Sequence, residues 1–192
     1  MTLLNKLVSA VTPTESDAAR KEARVKAQEA AKPGDWLAMI LAHHEAIEAA
    51  FAHTKSASTA AAQAAAQQHL DLVITAHANA EESVIYPALA GEDHETQAKT
   101  AYAEQATAKI ELGLLKKLKP LSPEFMEKLE TIRAAVAHHM YEEESNWLLE
   151  LRNQASAQDQ AQLTEDYSVE YDRYMGHTKE SSQSPRYGSG SR

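Results

Sequence analysis

The chain has 192 residues, a formal net charge of −9, 43% hydrophobic but only 6% aromatic residues, and no cysteine. Its 36 alanines, with only Gly91 and Gly113 between positions 35 and 175, exclude a sheet protein, which needs β-branched and aromatic strands and frequent turn residues. The missing cysteines exclude disulfide frameworks, thiolate zinc sites and cysteine nucleophiles. The acidic balance argues against nucleic-acid binding by counterion release, and no apolar run approaches the ~20 residues of a membrane span.

In chain order, MTLLNKLVSAV lacks a basic leader, and Lys6 interrupts its apolar run, so it is not read as a secretory signal. Leu3, Leu4, Leu7, Val8 and Val11 form an amphipathic stretch suited to docking or a subunit contact rather than to a membrane foot. Cytoplasmic residence is the resulting expectation. After Pro13, residues 14–32 are rich in Ala, Glu, Lys and Arg and predict a helix solvated on most faces and lightly packed. Residues 1–34 thus read as a partly helical extension, available for self-association or a protein partner. Pro33-Gly34 breaks the chain, and Asp35 is a good cap for the next helix.

A first long helix is predicted from about Trp36 to His53, with Leu37, Ile40, His44, Ile47, Glu48 and Phe51 on one stripe. A second runs from near Thr59 to Tyr86, where Pro87 kinks or ends it, with Leu70, Val73, Ile74, His77, Glu81, Val84 and Ile85 on its stripe. A third spans roughly Glu95 to Leu118, with Ala98, Ala101, Gln105, Ala108, Leu112 and Leu115 facing one way. Ser122-Pro123-Glu124 is a strong helix start for a fourth, which carries Leu129, Ile132, Val136, His139, Glu143 and Trp147 up to about Arg152. A short, weak helix over residues 153–175 and a disordered, Gly/Ser-rich tail over 176–192 complete the chain. The expected fold is all-α: an up-down-up-down four-helix bundle over residues 35–152, flanked by these extensions.

Polar residues stand where such a bundle wants leucine. His44, His77 and His139 lie in three apolar stripes, each followed four residues later by Glu48, Glu81 or Glu143, on the same helix face. With 9 histidines and 21 glutamates, chance supplies about one such pair, and the chain has four, including His138 with Glu142. Three imidazoles and two or three carboxylates buried without a cation would cost several kcal/mol per ion. A metal ion removes that cost, and a mixed His/carboxylate set suits iron first, then manganese, with zinc as a redox-silent substitute. Glu81 and Glu143 are the natural bridging carboxylates, with His44, His77 and His139 as terminal ligands.

The segments HHEAIEAAF (43–51), HANAEESVIYPAL (77–89) and HHMYEEESNWL (138–148) resemble the hemerythrin-like family, the HHE cation-binding domain. The resemblance covers roughly residues 35–152. It implies a non-haem di-iron centre, oxo- or hydroxo-bridged, that binds or senses O2, nitric oxide or peroxide or handles iron. Ligand roles pass to His44, His77, Glu81, His139 and Glu143, with Glu144 contending for the role of Glu143. The family's third helix usually offers a histidine after a glutamate; here Glu104 is followed by Gln105, whose amide oxygen is a weak iron ligand. One metal position would then bind less tightly, use Glu104 or a water, or keep an open coordination position, as catalytic metals do.

Around this set, His43 and His138 lie about 100° away on their helices and suit surface or supporting roles. Glu48 and Glu82 could orient an imidazole, His69 could line an access route, and Tyr86 and Trp147 read as packing. The leading function is a cytoplasmic di-iron protein of stress or redox physiology that binds a small gaseous or peroxide ligand. The alternatives are peroxidase- or catalase-like turnover, iron storage, and a helical interaction module.

Overall fold

The computed structural model describes residues 15–91 and 94–176, which are all-helical with no strand among them. The amphipathic stretch at Leu3–Val11 and the polar tail from His177 onward lie outside the described residues. The helices are α1 (Asp17–Ala30), α2 (Trp36–Ser56), α3 (Ala60–Ala80), α4 (Tyr86–Gly91), α5 (Glu95–Leu115), α6 (Pro123–Glu142), α7 (Leu148–Gln154) and α8 (Ala157–Met175). Side-chain caps start five of them: Ser16, Asp35, Thr59, Ser122 and Ser156 each accept a hydrogen bond from the backbone N–H three residues on.

Two π-helical turns, Glu81–Ile85 and Glu143–Trp147, join α3 to α4 and α6 to α7. Pro87 therefore does not end its helix. Proline has no N–H and clashes with the carbonyl four residues back, and the wider turn just before it lets the chain continue to Gly91. The third long helix stops at Leu115, three residues before its expected end.

Helix α2 packs along α3 and α6, α5 packs along α6, and α3 also meets α5. The end elements are more engaged than their composition suggests. Helix α1 is not lightly packed: small residues Ala23 and Ala27 are buried and let it lie against α2 and the second π-turn. Helix α8 is no weak appendage either, because Leu163 and Tyr167, four residues apart, are buried against α3, α2 and the first π-turn.

The apolar interior is divided. One cluster joins Trp36, Leu37, Ile40, Ile85, Leu89, Trp147, Leu148, Leu151 and Tyr167. The other joins Ile47, Phe51, Leu70, Ile74, Leu112, Phe125, Leu129, Ile132 and Met140. Between them along the helices come His44, His77, Glu81, Gln105, His139 and Glu143, all buried. Folding thus sandwiches a polar layer between two hydrophobic ones.

Candidate metal centre

Helix periodicity sets this layer. His77 of α3 and Glu81 at the start of the first π-turn stack one turn apart, His139 of α6 and Glu143 at the start of the second do the same, and His44 and Gln105 face them from α2 and α5. One donor atom each of His44, His77, Glu81 and Glu143 lies within 4.8 Å of all the others. The His77 Nε2 is 3.1 Å from Glu81 Oε2, and His44 Nε2 is 3.3 Å from Glu143 Oε2. His139 sits on the far side of Glu143, its Nε2 3.4 Å from Glu143 Oε1.

Each imidazole is held from behind through Nδ1. His44 Nδ1 lies 2.7 Å from Glu144 Oε1, His139 Nδ1 lies 2.8 Å from Glu104 Oε2, and His77 Nδ1 lies 3.2 Å from the Tyr167 hydroxyl. A carboxylate only accepts, so His44 and His139 donate from Nδ1, which leaves Nε2 facing the centre with its lone pair free when the ring is neutral. Tyr167 also lies 2.9 Å from His43 Nδ1, and that ring stacks on Tyr171 with centroids 3.6 Å apart. His43 thus supports the site from outside.

Four buried donor atoms here have no hydrogen-bond partner, His44 Nε2, His77 Nε2, Glu81 Oε1 and Glu143 Oε2, and Gln105 Oε1 is unpaired beside them, outside the four-residue cluster. Buried polar groups are nearly always satisfied, and each orphan costs on the order of 1–3 kcal/mol. Nitrogen and oxygen donors of this kind, collected at one place, fit a transition-metal cation.

The protein's own charges leave this layer unbalanced. Burial and the neighbouring Glu143 charge raise the Glu81 carboxyl to about 8. Burial would lower His44, but the adjacent Glu143 and Glu144 carboxylates outweigh it and raise the imidazole to about 9. Burial and the His44 charge push His77 well below its usual value. Glu143, despite burial, is held well below the carboxylate range by His139 and His44.

Gln105 is buried, as its stripe requires, and its amide nitrogen donates to Glu81 Oε2 at 2.6 Å and to the Tyr86 hydroxyl at 2.5 Å. Tyr86 departs from its expected packing role. Its hydroxyl lies 3.2 Å from Glu81 Oε2, 3.0 Å from Glu143 Oε1 and 3.1 Å from His139 Nε2. In an α-helix a residue five positions on is rotated by about 140°. The first π-turn instead bonds the Tyr86 N–H to the Glu81 carbonyl and keeps the two residues on one face. Tyr167 is the other participant that sequence reasoning missed; it arrives from α8.

The remaining candidates are dispersed. Glu144 is buried but spends its carboxylate on His44 and on Arg24, whose Nη2 lies 2.8 Å away. Glu104 backs His139. Glu48 is exposed and pairs with Arg24 at 2.7 Å, away from the centre. Glu82 pairs with Lys109 at 2.8 Å, and His138 lies 3.0 Å from Glu15. His69 is exposed and is not among the residues that line the cleft beside this layer. Trp147 is buried and meets the His139 ring edge-on, with centroids 6.1 Å apart.

The family model described as the hemerythrin HHE cation binding domain matches residues 36–151, the stretch that supplies all of these central donors. A curated relative from Nostoc sp. (strain PCC 7120), named "DNA nickase", is 33% identical over 98 residues, which make up 51% of this chain and 27% of that protein. The chain therefore spans about a quarter of that relative's length. No solved structure matches significantly.

Proposed function

The chain belongs to the hemerythrin HHE cation-binding domain family, and from that premise we propose that it is a non-haem iron protein that binds or senses O2, nitric oxide or peroxide. The observation that carries the reading is the convergence of three imidazoles, each anchored through Nδ1, on two buried carboxylates with unpaired atoms between them. The iron-binding unit comprises residues 35–152 as an up-down-up-down four-helix bundle of α2, α3–α4, α5 and α6–α7, with residues 1–34 and 153–175 flanking it. Among the described residues no helix is long and apolar enough to cross a membrane; the proposed setting is cytoplasmic stress or redox physiology.

His44, His77, Glu81 and Glu143 would hold one ion. His139, with Glu81 and Glu143 shared, would hold a second, and Gln105 would stand there as a neutral neighbour. Bound iron would supply redox chemistry and Lewis acidity toward a small ligand. The chain's own contribution is preorganisation. Glu144 and Glu104 fix the tautomers of His44 and His139, as second partners of ligating histidines do. Tyr86 places an O–H beside Glu81, Glu143 and His139, where it can donate a hydrogen bond at the centre. The two apolar clusters keep bulk water from both ends of the layer.

The "DNA nickase" name attaches to a much longer protein, and a net charge of −9 does not favour a DNA contact here.

Metal analysis and near-ultraviolet absorption of aerobically purified protein test the proposal. Iron at one to two ions per chain, with charge-transfer bands lost in His77→Ala and kept in His69→Ala, is expected. Equal loss in both variants, or no iron, would contradict it.

A further inference from the structure

Beside the centre, a cleft of about 530 Å3 opens between α3, α5 and α6. It exists because α5 turns small side chains toward it at helical spacing (Thr96, Thr100, Ala103 and Thr107), and these do not fill the space to α6. Its apolar wall includes Ile47, Ile74, Ile132, Val136 and Met140, and its inner end reaches His77, Gln105 and His139. The volume lies within the usual range for small-molecule sites, which are mostly apolar with a few fixed polar groups.

The polar groups restrict the occupant. Gln105 is only 4% exposed, and its Oε1 has no partner, so the inner end asks for a hydrogen-bond donor. A carboxylate is a poor fit. Among the described residues the cleft offers an anion no free cation: Lys99 is paired with Glu95 at 2.7 Å, His138 with Glu15 at 3.0 Å and His139 with Glu104 at 2.8 Å, while Glu111 is paired with Lys128 at 2.6 Å. We propose that the cleft binds an uncharged, elongated hydrocarbon molecule carrying one hydroxyl, its chain along Ile74, Ile132 and Val136 and its hydroxyl against the Gln105 amide. The site adjoins the metal centre and is additional to the proposed iron chemistry, since nothing in its recognition requires the ion.

Calorimetric titration of the full chain with 1-octanol and with octanoate tests this, with metal content and helical circular dichroism measured on the same samples. Octanol should bind at least tenfold more tightly than octanoate. Ala135→Trp and Ala108→Trp, which fill the cleft from α6 and α5, should each weaken octanol at least tenfold while metal content stays unchanged. No octanol binding by the wild type, octanoate binding as tightly, undiminished binding in folded tryptophan variants, or binding seen only after removal of residues 1–14 would each overturn the proposal. Should both variants fail to fold, the octanol-to-octanoate comparison on the wild type still decides. Loss of metal in His77→Ala with octanol binding intact would separate the two sites.

Discussion

The two His-x-x-x-Glu-Glu stretches, His77–Glu82 and His139–Glu144, are nearly the same sentence written twice. Each places its first glutamate, fully buried, at the start of a π-turn. They part at the second glutamate. Glu82 turns outward, half-buried, to Lys109 of α5, which also reaches Asn79. Glu144 is only 2% exposed and turns inward to His44 and to Arg24 of α1. The local sequence sets the backbone and the first glutamate, whereas the element packed opposite decides what the second glutamate becomes. A cation arriving from α1 lets a carboxylate be buried; one arriving from α5 at the rim leaves it at the surface.

The largest expected effect tests the shared half of that comparison. Glu81→Ala and Glu143→Ala each remove a carboxylate between the imidazoles and should lower bound metal at least a hundredfold in dialysed protein. Glu82→Ala should leave metal content within twofold. Similar losses in all three would show that the turns do not sort their glutamates as described.

Acidity sharpens the same contrast. With its pKa raised to about 8 by burial and the Glu143 charge, Glu81 favours the fold when protonated. That contribution is complete below the unfolded value of 4.5 and is lost as pH rises through about 8. His44 is raised to about 9, burial being outweighed by the adjacent Glu143 and Glu144 carboxylates, so its stabilisation is complete below 6.5 and is lost toward 9. The depressed Glu143 contributes above 4.5 and is flat across this window. Metal-free protein should therefore lose on the order of 5 kcal/mol between pH 6 and 9 in urea unfolding. Metal-loaded protein should not, because the ion takes the place of the protons and its affinity rises with pH. A flat metal-free profile would mean that these groups are not buried together.

His44, His77, Glu81, His139 and Glu143 were legible in the sequence because their meeting follows from helix period alone: four residues bring a side chain back to its face. Gln105 was legible for the same reason. Tyr86 was not, since an α-helical period turns it away from Glu81 and only the extra residue of a π-turn restores it. Pro87 carried that signal, as a residue that cannot continue an ordinary helix without some local change in the turn before it. Tyr167 and Arg24 come from helices of polar composition, 90 residues after His77 and 120 before Glu144 respectively. Their roles depend on long-range packing that no local pattern encodes. The spacing of Leu163 and Tyr167, and of Ala23 and Ala27, was the faint trace of it.

Arg24 is where the second half of the comparison can be broken. In Arg24→Ala, Glu144 keeps His44 but loses the cation that balances it in a buried setting, and stability should fall by about 2 kcal/mol. With Glu144 freed to move, the His44 ring is less firmly oriented, and metal affinity should fall 10- to 100-fold. Restoring charge with Arg24→Lys should recover only part of both, because one ammonium cannot span Glu144 and Glu48 as the guanidinium does. The matched change on the other turn is the smallest effect expected. Lys109→Ala removes an ion pair whose partners stay 28% and 25% exposed, so water can replace the lysine and stability should shift by no more than about 0.5 kcal/mol. Metal content should not change, since Glu82 contacts none of the three imidazoles. If Lys109→Ala proved as damaging as Arg24→Ala, burial of the second glutamate would not be what distinguishes the two turns. The asymmetry would then have to be sought in the first glutamates, both buried but held at opposite protonation tendencies, Glu81 raised and Glu143 lowered.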